Sequence, residues 1–164
     1  MTQPLPLNPT PLDYLLFRLT EMQEAVVPGS DAAPVWFYAQ EGFPFWVNKT
    51  NRFTTEDVAI DLQVVTYSIV MRLVLRPVTS GIEYEAERNI HTWVPPILQY
   101  FGQRRQLKRT SADTDVAFLD AKGALITGGM PDYNMQVSGI GNQLFGIDFD
   151  IDVPMDEYVD QLIF

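Results

Sequence analysis

Asp148, Asp150 and Asp152 come nearest, by type and spacing, to a chemical constellation in this chain. They occupy alternate positions in "FGIDFDIDVPMDEY", Phe145 to Tyr158, while Phe145, Ile147, Phe149, Ile151 and Val153 take the other parity. A period of two is the signature of a half-buried strand, so the three carboxylates share one face. Three uses fit such a face: a cation site, a carboxylate pair for acid–base catalysis, or a repulsive surface presented to a partner. Alternate strand residues stand roughly 6.5–7 Å apart. A calcium ion wants about six to eight oxygens, so other ligands would have to join the run, and no companion His, Glu or Asp motif announces itself. The pattern reads as an electrostatic sheet surface without metal or catalytic role. In water, unit charges about 7 Å apart repel by only about 0.6 kcal/mol. Burying Phe149 and Ile151 stabilises by roughly 1.5–3 kcal/mol each, which offsets that repulsion. Replacing all three aspartates by Asn is then expected to keep the fold and raise stability slightly. The charges also guard the strand against edge-to-edge aggregation.

Other chemistry is sparse. His91 is the single histidine; it cannot build a histidine-rich metal site, and no triad signature surrounds it, so it reads as structural or exposed. The chain has no Cys, which excludes disulfides, zinc-thiolate sites and thiol catalysis. "SGIGNQ" and "TGGM" are glycine-rich without matching a phosphate cradle, and they read as turns. The expectation is a non-enzyme with no cofactor.

Charge is uneven. The net charge is −10, which argues against wrapping nucleic acid over the whole surface. Yet Arg104, Arg105, Lys108 and Arg109 place four of the eleven basic residues in six positions. Residues 145–164 hold six acidic side chains and no Lys or Arg. A basic spot and an acidic end suit stacking on copies of the chain or on a partner of matching polarity. By default the basic cluster is a solvated helix-end loop, where positive charge favours a helix C-terminus; its functional use would be contact with an acidic neighbour or with DNA phosphate.

These residues must be positioned by one domain spanning 1–164, the size at which a sizeable core forms. Residues 1–10 hold three prolines and read as a flexible arm, with neither signal-peptide character nor a run of the ~20 apolar residues that span a bilayer. A soluble product is expected. Thr10-Pro11-Leu12-Asp13 opens a helix whose stripe is Leu12, Leu15, Leu16, Leu19, Met22 and Val26, ended by Pro28-Gly29. Residues 35–39 and 44–48 read as two short strands; their aromatics Trp36, Phe37, Phe43, Phe45 and Trp46 serve either a sheet core or a subunit interface. Residues 58–76 read as one long β segment. Its apolar parity switches between Val64 and Tyr67, which predicts a bulge there. At roughly 60 Å extended, part of the segment is expected to project. Ser80-Gly81-Ile82-Glu83 is a capping box for a second helix. That helix carries the stripe Ile82, Ala86, Ile90, Trp93, Val94, Ile97, Leu98 and Phe101, is interrupted by Pro95-Pro96 and stops at Gly102. Residues 116–127 read as a hairpin, and "GGMPDYNMQVSGIGNQ" as a glycine-rich loop or a hairpin edge. The order α-β-β-β-α-β-β-β without a βαβ rhythm predicts an α+β fold, with a mainly antiparallel β-sheet packed against two principal helices.

Four stretches, "TYSIVMRLVLRPVTSG", "IEYEAERNIHTWVPPILQYFGQRRQL", "DVAFLDAKGALITGG" and "SGIGNQLFGIDFDIDVPMDEY", together resemble the tail terminator (tail-completion) proteins of long, non-contractile-tailed phages. The resemblance covers about residues 60–158 in order and texture; segments 35–48 and 58–76 have no clear counterpart. It implies a structural homo-oligomer, commonly a hexameric ring, that caps the tail tube, ends its polymerisation and presents the head-joining surface. The implied partners are the major tail tube protein, a head–tail connector or stopper protein, and DNA that passes through the lumen without specific binding. No membrane is involved, and the location is the virion tail or neck after assembly in the host cytoplasm. The Asp148, Asp150, Asp152 face would then line the hole and repel phosphate. Two other classes remain open: another connector, tail-fibre or baseplate adaptor, and a small metal-dependent hydrolase built on the same aspartates.

Overall fold

The computed structural model describes residues 10–33, 42–78, 82–107, 122–135 and 143–158. Helix α1 spans Pro11–Val26. Its start is the one the sequence predicts. The Thr10 hydroxyl accepts the Asp13 N–H at 3.2 Å, and the Thr10 N–H donates to the Asp13 carboxylate at 2.8 Å. Both groups would otherwise be orphans of the first turn. The chain leaves the helix at Val27, and Gly29 takes a positive φ of 82° that side-chain-bearing residues adopt only under strain.

Five strands follow the order β1-β2-β3-β5-β4: β1 Asp31–Ala33, β2 Phe45–Ala59, β3 Leu62–Pro77, β4 Leu125–Met135 and β5 Leu144–Tyr158. Helix α2, Ile82–Gln103, lies between β3 and β4 in sequence. Every pairing is antiparallel except β1 with β2. The architecture is the expected α+β one, a mostly antiparallel sheet with two helices.

Several boundaries differ from the sequence reading. Residues 58–76 are not one strand. Val58 and Ala59 end β2, Ile60-Asp61 turns, and β3 returns. The parity switch between Val64 and Tyr67 falls inside β3, which pairs with β5 without a slip from Leu62 to Val74, so no bulge stands there: half-buried Leu62 and Val64 lie on the face opposite Tyr67 and Ile69. The irregularity lies later, between Val74 and Arg76. It leaves Arg76 beside α2, with its guanidinium 3.6 Å from the Glu85 carboxylate. The strand expected at 44–48 continues to Ala59, through a polar stretch that carries no apolar alternation. Gly128-Gly129 lie inside β4 rather than in a loop. A β-carbon on Gly129 would run into the Asp148 carbonyl oxygen, so glycine is required for β4 to approach β5 there. Helix α2 runs through Pro95 and Pro96 and ends one residue beyond Gly102. The strand at 35–39, Ser80 of the capping box and the hairpin arm 116–119 lie outside the described residues.

The core lies between the helices and one face of the sheet. On that face β3 and β5 set Ile69 against Ile151, Met71 against Phe149 and Leu73 against Ile147, all buried. From above, α1 supplies Leu15, Leu19 and Met22, and α2 supplies Ile97 and Phe101. Two polar links tie α1 to its surroundings. Buried Gln23 and Asn48 exchange amide hydrogen bonds at 2.6 and 3.0 Å, and Arg18 Nε donates to the Leu107 carbonyl at 2.7 Å. A smaller cluster of Phe45, Val47, Val74, Met135 and Leu144 is buried on the other side of the sheet. The opposite face of β3 and β5 beyond that cluster is polar, and this is where the aspartates stand.

Candidate functional site

The three aspartates share the face of β5 turned away from the helices, because their neighbours Ile147, Phe149, Ile151 and Val153 are buried on the other face. Their environments differ. Across the ladder Asp148 faces Arg72, Asp150 faces Val70, and Asp152 faces Ser68. Asp148 accepts two bonds from the Arg72 guanidinium, at 2.8 and 3.0 Å. Both side chains of this pair are mostly shielded, at 13% and 14% exposure. Asp132 of β4 stands 3.9 Å from the same guanidinium, so one cation serves two carboxylates. Asp152 accepts from the Ser68 hydroxyl at 2.7 Å. Asp150 is exposed.

This corrects the expectation that all three could be exchanged for Asn at no cost. A bidentate Arg–carboxylate pair is a charge-assisted contact of fixed geometry, and neutralising Asp148 would strip Arg72 of its nearest counter-charge. The sequence reading missed Arg72, Ser68 and Asp132. Arg72 had a signal: it is one of two basic residues, with Arg76, at even positions of β3. Seeing its partner required the β3–β5 register, which no local pattern carries.

Among the described residues no group of three or more His, Asp or Glu side chains is close enough to hold a metal ion. His91 is exposed on α2 and lies 3.2 Å from Glu87 one turn away. Farther along β5, the Tyr67 hydroxyl donates to Glu157 at 2.7 Å. Burial, then that hydrogen bond and the charge of Glu157, push the Tyr67 phenol well above its ordinary range.

The other candidates divide. Phe45 and Trp46 have no exposed surface, so they are core rather than interface residues. Trp46 packs against Phe149 with ring centroids 6.0 Å apart. Phe43 is partly exposed and stacks on Phe45 at 5.5 Å; Trp36 and Phe37 lie outside the described residues. Of the basic cluster, Arg104 lies over the Tyr100 ring at 4.0 Å, and Arg105 holds the start of β4 by donating to the Ala124 carbonyl at 3.4 Å. Lys108 and Arg109 lie outside the described residues.

One feature had no forecast. Between α2 and the edge strand β4 runs an apolar groove of about 390 Å³, lined by Ile90, Val94, Leu98, Ile126, Met130 and Phe149 among others. Its sequence signal was the width of the α2 stripe. Ile90, Val94 and Leu98 follow one another at four-residue steps, while Ala86, Ile97 and Phe101 already supply the buried contacts of the helix.

No protein-family model matches this chain, and no curated protein matches it. Among the described residues no helix is long and apolar enough to cross a membrane.

Proposed function

We propose that this chain is a structural tail terminator: a ring-forming protein, hexameric by resemblance, that caps a phage tail tube, ends its growth and offers the surface for head joining. The observation that carries the reading is the two-sided sheet. Helices cover one face, and the other presents Asp150 openly beside the tethered Asp148 and Asp152. Facing a central hole, that surface would repel the phosphates of passing DNA and keep it from sticking. The four stretches that resemble the family include β3 and β5, the strands that build this face, and α2, which covers the opposite one. The same reading makes the tube protein, a connector or stopper protein, and the virion neck its working context.

The test is a tube-growth assay. The purified chain is added to polymerising tail tube protein, and tube lengths and ends are scored by negative stain. Rings seated on tube ends, with growth arrested there, are the expected result. A chain that stays monomeric at high concentration and ignores tube ends overturns the proposal.

A further inference from the structure

We propose that the tip of the β2–β3 hairpin of one copy seats in the α2–β4 groove of the next, so that copies join head to tail. The tip has an unusual composition for a turn. Such positions favour Gly, Asn, Asp and other small polar residues. Here Ile60 in the turn is 83% exposed and the adjoining Val58 57%. A single exposed apolar side chain is ordinary, but two side by side at a hairpin tip offer a contact surface.

The groove is its complement in both polarity and charge. It is apolar, and its 390 Å³ would hold about a dozen waters at roughly 30 Å³ each, which aliphatic side chains from the tip would displace. Leu98, which lines it, is exposed. Around the apolar tip stand Glu56, Asp57 and Asp61. Toward the Ile126 end of the groove stands Arg105, bonded through its backbone and its side chain to Ala124 just before β4. An acidic apolar finger thus meets an apolar slot with a basic end, a pairing that fixes orientation as well as affinity. β4 also ends the sheet on that side, and an edge strand offers backbone groups to an incoming one.

The tip cannot fill the groove of its own chain. β2 and β4 lie three strand steps apart in the sheet, about 14 Å at the usual spacing. Along the strands the separation is larger: the tip is level with Tyr158, while the groove is level with Ile147 to Phe149. Those nine residues cover roughly 30 Å. Two different surfaces that complement each other on one molecule make a heterologous interface, which closes into a ring when the rotation permits. This inference rests on the ring reading for the assembly itself and names the surfaces that build it.

The test uses the full chain, whose lack of Cys makes engineered thiols unique. Chains bearing Ile60→Cys are mixed with chains bearing Leu98→Cys and treated with a short bis-maleimide. A covalent dimer in the mixture, absent from either variant alone, is expected. Light scattering of Ile60→Asp and of Leu98→Asp should show assembly weakened at least about tenfold, with thermal unfolding of the exposed-tip variant unchanged. If the native chain assembles but both variants assemble as well as it does, the docking inference falls and the ring reading stands. Crosslinking of Ile60→Cys chains to each other, with no further product when Leu98→Cys chains are added, means a tip-to-tip contact and also overturns it. A native chain that neither assembles nor binds tube ends removes both.

Discussion

At the scale of single residues, the acidic face is three sites and not one. Asp150 faces Val70 in the open, so Asp150→Asn should change stability by less than about 0.5 kcal/mol. Asp148→Asn removes the charge that Arg72 grips from a mostly shielded position. It should cost roughly 2–4 kcal/mol, toward the lower side of what breaking a buried pair costs. Denaturant melts of the two variants check the contrast; equal effects would mean the Arg72 pair contributes nothing. Tyr67 gives a pH test. Its phenol is raised by burial first and by Glu157 second. With the folded value above the unfolded value of roughly 10, the contribution to stability is fully present below about pH 10 and is lost as pH climbs through the folded value. Tyr67→Phe should therefore flatten the fall in melting temperature above about pH 10, even as it loses the bond to Glu157. Parallel declines in the two proteins would contradict that assignment.

At the scale of elements, β4 is the strand most dependent on a detail of its sequence. Gly129 brings it against the Asp148 carbonyl with no room for a β-carbon, so Gly129→Ala must push backbone from backbone. The expected cost is about 1–3 kcal/mol, together with a loosened groove floor, since Gly129 and Met130 line it. Urea unfolding and amide exchange along β4 measure both; unchanged protection would mean that β4 tolerates the shift. Helix α1 is anchored differently. Its capping box and apolar stripe are local, but its seat depends on Gln23 meeting Asn48 and on Arg18 reaching Leu107. The hairpin of β2 and β3 carries an exposed polar stretch from Asn51 out to Asp61.

At the scale of the whole molecule, the Arg104–Arg105 end of α2 and Glu56, Asp57 and Asp61 of the hairpin carry opposite charge, and assembly should feel them. Arg104→Glu should weaken association and reduce its sensitivity to salt. The fold should lose no more than about 1 kcal/mol, from the contact with Tyr100. Scattering at low and high salt decides this; assembly unchanged at low salt would leave the cluster merely solvated. The sequence by itself determined the elements whose signals are local. The cap at Thr10 and Asp13, the stripe of α1 and the alternation of β5 are written in neighbouring residues, because period and hydrogen-bond geometry act over a few positions. It also determined that the aspartates share a face. Only the tertiary structure decided the rest. Apolar parity alone could not place the hairpin at Ile60-Asp61, since Val58, Ile60, Leu62 and Val64 keep one parity straight through the turn. Whether Phe45 and Trp46 were core or interface depended on what covers them. The pairing of Arg72 with Asp148 joins residues 76 positions apart. Such a contact is set by strand register, and register is settled by the packing of the whole sheet against its helices.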